Sequence, residues 1–228
     1  MDNVSDVQQP GIRRAKRQNQ LAKIVPRAFI WGIVVLVLLF GGMTFELLTQ
    51  TPKVGLVVGH WQNDSGAVCE DGLREVDVNL TIAQSVASQL ANNGYQVELL
   101  GEFDAKLKNY RASAMVVLHA DSCIPGYSGF KITRALDSPQ PARDDRLVDC
   151  LWDRYESATG LEKDPLHITD DMREYHSFQD IHPRTPAAII ELGYLNDDRS
   201  ILTQETAGAA KGVVQGLKCF LEDHPENR

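Results

Sequence analysis

From residue 53 onward, short apolar runs alternate with amphipathic stretches. KVGLVV (53–58) is a brief run closed by Gly59 and reads as a buried strand. Across 72–94, Leu73, Val76, Leu80, Ala83, Val86 and Leu90 recur at helical spacing, and Gly94 supplies a C-terminal stop. YQVELL (95–100), AMVVLHA (114–120), GFKITRA (129–135) and PAAIIELG (186–193) read as further strands, with a short helix expected over DAKLKNYRAS (104–113). Residues 142–160 read as a helix with Leu147, Cys150, Leu151 and Tyr155 on one side, and a last helix runs from about Ser200 to Leu221. Residues 161–185, rich in Asp, Pro and His, follow neither period. Alternating strands and helices imply a single α/β domain: a mostly parallel twisted sheet flanked by helices on both faces.

A different pattern precedes it. AFIWGIVVLVLLFGGMTF (28–45) carries no charge, and Leu47 and Leu48 extend the apolar character past Glu46. Eighteen residues at about 1.5 Å each reach roughly 27 Å, close to a bilayer's hydrocarbon thickness. A transmembrane anchor is the expectation, ahead of a cleaved signal peptide or a buried core helix. The long polar segment before it and the lack of a clear small-x-small cleavage site after it favour the anchor.

Charge orients the segment. Residues 1–27 hold six basic side chains against Asp2 and Asp6, a balance of +4, so the rest of the −8 chain amounts to −12. The basic side belongs in the cytoplasm and the domain outside the membrane. An acidic domain is a poor nucleic-acid binder. The expected organisation is a cytoplasmic tail (1–27), an anchor (28–48), a linker (49–53), a catalytic domain (54–222) and a tail (223–228). Outside the cytoplasm, Cys69, Cys123, Cys150 and Cys219 are free to form disulfides, and four cysteines allow three connectivities. No CxxC pair suggests a zinc knuckle.

In sheets of this kind ligands bind beyond the carboxyl ends of the strands. Three apolar runs deliver polar groups there: His60, His119 and Glu191. Glu75 begins the helix behind the first strand. Two imidazoles and a carboxylate form the donor set of catalytic zinc, and a further carboxylate is what such a site needs to move protons. Each residue also has an ordinary reading: strand-end histidines that merely hydrogen-bond, a first-turn acid favoured by the helix dipole, a turn-starting glutamate.

VGLVVGHWQNDSGAVCEDGLREVDVNLTIA, AMVVLHAD and PAAIIELGYLND resemble, in order, the spaced segments of zinc-dependent N-acetylmuramoyl-L-alanine amidases (Amidase_3 type), over about Val54 to Leu221. The resemblance implies His60, Glu75 and His119 as ligands of one zinc ion, Glu191 as catalytic acid–base, and peptidoglycan as substrate, cut between N-acetylmuramic acid and L-alanine. Two alternatives stay open: a non-catalytic muropeptide-binding module of the same fold, and a zinc peptidase acting on another bond. No protein activator is implied by the residues, and no dedicated wall-binding repeat is evident.

The chain departs from the family pattern at Trp61 and Gln62, in place of glycines, and at Asp121, Tyr194 and Asp197. Trp61, Asp121, Tyr194 and Asn196 are the candidates for substrate contact. Cys69 and Cys123 flank the implied metal positions, which favours pairing them and leaves Cys150 with Cys219 to join two helices. Buried free thiols are the alternative. His167, His176 and His182 lie in the aperiodic segment; His182 and Arg184 either meet a substrate carboxylate or belong to a solvated loop.

Overall fold

The computed structural model describes residues 31–37 and 51–222. The chain divides into two units, Met1–Gln50 and Thr51–Arg228. In the first, residues 31–37 are helical with exposed apolar side chains. Most of the expected anchor lies outside the described residues, and among those described no helix is long and apolar enough to cross a membrane.

The second unit is built on β1 (Lys53–Val58), α1 (Glu75–Asn92), β2 (Gln96–Leu100), β3 (Ala114–Asp121), β4 (Lys131–Thr133), α2 (Pro141–Thr159), α3 (Asp170–Arg173), α4 (Ser177–Asp180), β5 (Ala187–Tyr194), α5 (Arg199–Thr203) and α6 (Thr206–Glu222). The sheet order is β2-β1-β3-β5-β4, parallel except for the antiparallel edge strand β4. β1, β3 and β5 are apolar along almost their whole length because neighbours cover both of their faces.

The two faces are covered unequally. Val54, Leu56, Val58, Val116, Leu118 and Ile190 pack against α1, α2 and α6. Cys150 and Cys219 are disulfide-bonded across α2 and α6. Strand alternation sends Val57, Met115, Val117 and Ile189 to the opposite face. There the cover is thin: Leu107 and Tyr110, then Met172, Phe178 and Ile181 from the aperiodic segment. Among the described residues, the α-helices on this second face are thus only the four-residue α3 and α4.

Several elements differ from their sequence expectation. Residues 104–113 form a single 3-10 turn, Ala105–Leu107, capped by the Asp104 carboxylate. Asn109 then turns left-handed at φ 59° and leaves the helical path. The last helix is split into α5 and α6, since the N–H groups of Gln204 and Glu205 both turn back to the Ser200 carbonyl. α1 follows its expected apolar stripe in its later turns, at Ala83, Val86 and Leu90, but not at its start. There its buried side is Glu75, Val78, Asn79 and Ile82, so two polar residues one turn apart point inward.

Candidate metal centre and catalytic site

β1 ends by turning sharply at His60, which adopts φ 66°. For a side chain with a Cβ that region costs energy and needs local support. The N–H groups of Asn63 and Asp64 supply it by donating to the His60 carbonyl at 3.1 and 3.0 Å. The ring is fixed as well: Nδ1 meets Asp64 Oδ1 at 2.6 Å, and Nε2 faces Glu75 Oε2 at 3.2 Å.

Glu75 is buried at the start of α1 and gathers donors from several directions. Oε2 accepts from the Ala67 N–H at 3.0 Å, and Oε1 accepts from Asn79 Nδ2 at 3.2 Å. Asn79 is therefore inward for a reason the apolar pattern did not carry: it holds the carboxylate one turn before it. His119 Nδ1 meets the same Oε1 at 2.9 Å. Two glycines permit this packing. A Cβ on Gly59 would overlap the His119 ring, and one on Gly66, which is left-handed at φ 61°, would stand 2.5 Å from Glu75 Oε2.

One nitrogen from each histidine and one Glu75 oxygen lie within 4.8 Å of one another, a group able to hold a metal ion. The electrostatics of the cluster agree. The hydrogen bond to Glu75 pushes His60 up to about 9 against the opposing effect of burial. Burial would lower His119, yet Glu75 and Glu191 leave it raised. Burial would raise Glu75, but the two imidazoles hold it well below the usual carboxylate range. The cluster thus favours positive charge at this position, and borderline nitrogen donors with one carboxylate suit zinc.

Glu191 sits directly opposite His119 in the β3–β5 register, and Lys131 sits opposite Glu191 on its other side. The residue keeps some exposure, but Oε2 is shielded from water and has no hydrogen-bond partner. Burial pushes its carboxyl up to about 7, with Asp121 and Glu75 adding to the rise and His119 and Lys131 opposing it. Lys131 itself is buried, ion-paired to Asp121 and placed 5.1 Å from the Tyr194 ring centroid.

The other candidates are distributed around this core. Tyr194 donates to Asp164 at 2.9 Å, and Tyr127 packs between Tyr194 and His167. Trp61 packs on the three-helix core, while its carbonyl accepts from the Glu102 N–H. Asn196 is exposed and donates to Asp197 at 2.6 Å. His182 and Arg184 lie before the amino end of β5, at the sheet edge opposite the cluster, where the Arg184 N–H donates to His182 Nδ1. Cys69 and Cys123 are disulfide-bonded and tie the loop before Glu75 to the loop after His119.

Sequence reading missed Glu102, Tyr175, Asp64 and Lys131. Glu102 follows β2 by two residues, as His60 follows β1, so inspecting the carboxyl end of every strand would have found it. Asp64 was within reach too, one helical turn's spacing from His60. Tyr175 lies in the aperiodic segment and had no such signal.

A mostly parallel sheet with a His–Glu–His cluster and a shielded carboxylate at its carboxyl edge has the parts of a metal-assisted hydrolase. The sequence profile of the N-acetylmuramoyl-L-alanine amidases matches residues 54–219, and the chain belongs to that family of amide hydrolases. Solved structures share the fold. The CwlD amidase from Clostridioides difficile, solved with the GerS lipoprotein, is 19% identical with a TM-score of 0.62, over 76% of this chain and 100% of that one. The catalytic domain of CwlV from Bacillus (Paenibacillus) polymyxa var. colistinus is 23% identical with a TM-score of 0.61, over 76% and 100%. AmiC2 of Nostoc punctiforme is 21% identical with a TM-score of 0.59, over 75% and 97%. No curated protein sequence matches the chain.

Proposed function

We infer that this chain is a membrane-anchored zinc amidase that cleaves peptidoglycan between N-acetylmuramic acid and L-alanine. The observation that carries the reading is the unpartnered, water-shielded Oε2 of Glu191, on the residue that pairs in register with His119 of the His60–Glu75–His119 cluster. A zinc ion held by those three residues would supply Lewis acidity to an amide carbonyl and lower the pKa of a water.

The chain's own residues supply the rest. Glu191 Oε2 takes the proton of the attacking water and returns it to the departing alanine nitrogen. Its burial suits that exchange, because a carboxyl raised toward neutrality can both accept and release a proton near pH 7. Asp64 holds the outer nitrogen of His60, and Asn79 steadies Glu75, so the donors keep their aim without substrate.

Anchoring through residues 28–48, with residues 1–27 cytoplasmic and the catalytic domain outside, rests on the uncharged segment and the basic residues preceding it. That side of the membrane is where peptidoglycan lies. The test is incubation of the zinc-loaded protein with peptidoglycan and labelling of new amino termini. L-alanine termini support the reading, termini at another residue point to a peptidase, and none at all to a binding module.

A further inference from the structure

We propose that Tyr175 and Glu102 form a relay behind His119 that fixes which of its nitrogens faces the metal position. The proposal rests on the zinc reading above and concerns residues that the reading does not use.

His119 Nε2 lies 3.1 Å from the Tyr175 hydroxyl, which lies 3.0 Å from Glu102 Oε1. Proton directions follow from the chemistry. An ionised carboxylate only accepts, and the phenol has one hydrogen to give. Tyr175 therefore donates to Glu102, and its oxygen accepts from His119 Nε2–H. In the neutral ring the lone pair is then on Nδ1, the nitrogen that faces Glu75 at 2.9 Å. His60 is arranged with the nitrogens exchanged: Nδ1 is held by Asp64, and Nε2 faces Glu75. Both histidines thus direct one nitrogen at Glu75 and commit the other to an outer partner.

Glu102 is built for a fixed role. It is 6% exposed, and its Oε2 accepts from Asn63 Nδ2 at 2.9 Å. The same oxygen stands 4.0 Å from His60 Nδ1, so one carboxylate backs both histidines. His60, Asp64 and Glu102 could be taken for a second metal group. However, Asn63 Nδ2 donates to Asp64 at 3.0 Å as well as to Glu102, and Tyr175 takes the other Glu102 oxygen. Those donors hold Asp64 and Glu102 in place behind the outer nitrogen of His60, and Asp64 is exposed, unlike the buried Glu75 of the first group. Outer partners of metal-bound histidines typically contribute about 10- to 100-fold in metal affinity.

Tyr175→Phe keeps the ring that packs in the smaller core and removes only the hydroxyl. In the full-length protein purified in detergent, zinc affinity is measured by chelator competition, alongside the absorption spectrum of the cobalt(II)-substituted form. The expected result is a zinc affinity weakened roughly 10- to 100-fold, with displaced cobalt bands and an unchanged metal-free melting temperature. Affinity within about twofold of wild type, with unchanged cobalt bands, overturns the relay alone, against the expected range. A wild type that holds no zinc overturns both the relay and the zinc reading. If Tyr175→Phe does not fold, Glu102→Gln carries the same test, because it removes the charge that orients the Tyr175 hydroxyl.

Discussion

Glu191 and His119 are paired residues on adjacent parallel strands, and their side chains leave the same face of the sheet. The proposed acid–base carboxylate and an imidazole of the candidate metal cluster are therefore held at a separation set by backbone hydrogen bonds rather than by a loop. Replacing either one should separate binding from chemistry. Glu191→Gln is expected to lower turnover roughly 10²- to 10⁴-fold while leaving bound zinc unchanged. His119→Ala is expected to lose zinc itself. Metal content by atomic absorption beside the turnover rate checks both; a Glu191→Gln protein without zinc would make Glu191 a ligand.

Lys131 faces Glu191 from the opposite strand and is ion-paired to Asp121. Its positive charge favours ionised Glu191, whereas Asp121 disfavours it. Lys131→Met removes the first influence and frees the second, and both changes raise the carboxyl's pKa. The acid limb of the pH–rate profile should move to higher pH, with little change in the alkaline limb. An acid limb that stays in place would remove Lys131 from the proton balance.

The metal-free cluster should stabilise the domain within a limited pH window. His60 is raised from 6.5 to about 9, so its contribution is fully present below pH 6.5 and is lost as pH rises through about 9. Glu75 is depressed, so its contribution is present above its ordinary pKa of 4.5 and is lost as pH falls through its lowered folded value. Zinc replaces protons on the imidazoles and binds more tightly as they leave. The rise in melting temperature on adding zinc should be larger at pH 8.5 than at pH 6. Equal increments would contradict the proton–metal exchange.

The two disulfides have separable consequences. Cys150–Cys219 joins two helices of the main core, and losing it should cost about 2–4 kcal/mol of stability with modest effect on the rate of the folded protein. Cys69–Cys123 links the segments that present Glu75 and His119. Its replacement by serines should weaken zinc binding and turnover beyond its effect on melting. Denaturant titration and zinc competition on the two double-serine variants distinguish these outcomes.

The parts of the molecule with strict periodicity were legible in the sequence. β1, β3 and β5 are apolar because both their faces are buried, so their ends could be placed, and the polar residues at those ends converge on one edge. Glu75 was also found, although the α1 stripe did not show that it turns inward together with Asn79. What stayed hidden depends on partners distant in sequence. Tyr175 is fixed by Glu102, 73 residues away, and by His119, 56 residues away. The segment carrying it is too short in helix and too irregular to show a period. The thin second face of the sheet was hidden for the same reason, since short turns rather than long helices cover it. β4 is only three residues long, and nothing local in GFKITRA signals that it pairs antiparallel.

The most direct test of the proposed activity uses a defined disaccharide–peptide fragment of peptidoglycan and mass spectrometry of its products. With zinc-loaded wild-type protein, the account predicts two products: the free disaccharide and an intact peptide beginning with L-alanine. Neither should form with Glu191→Gln. Cleavage within the peptide, or an uncut fragment in the presence of zinc-loaded protein, would contradict it.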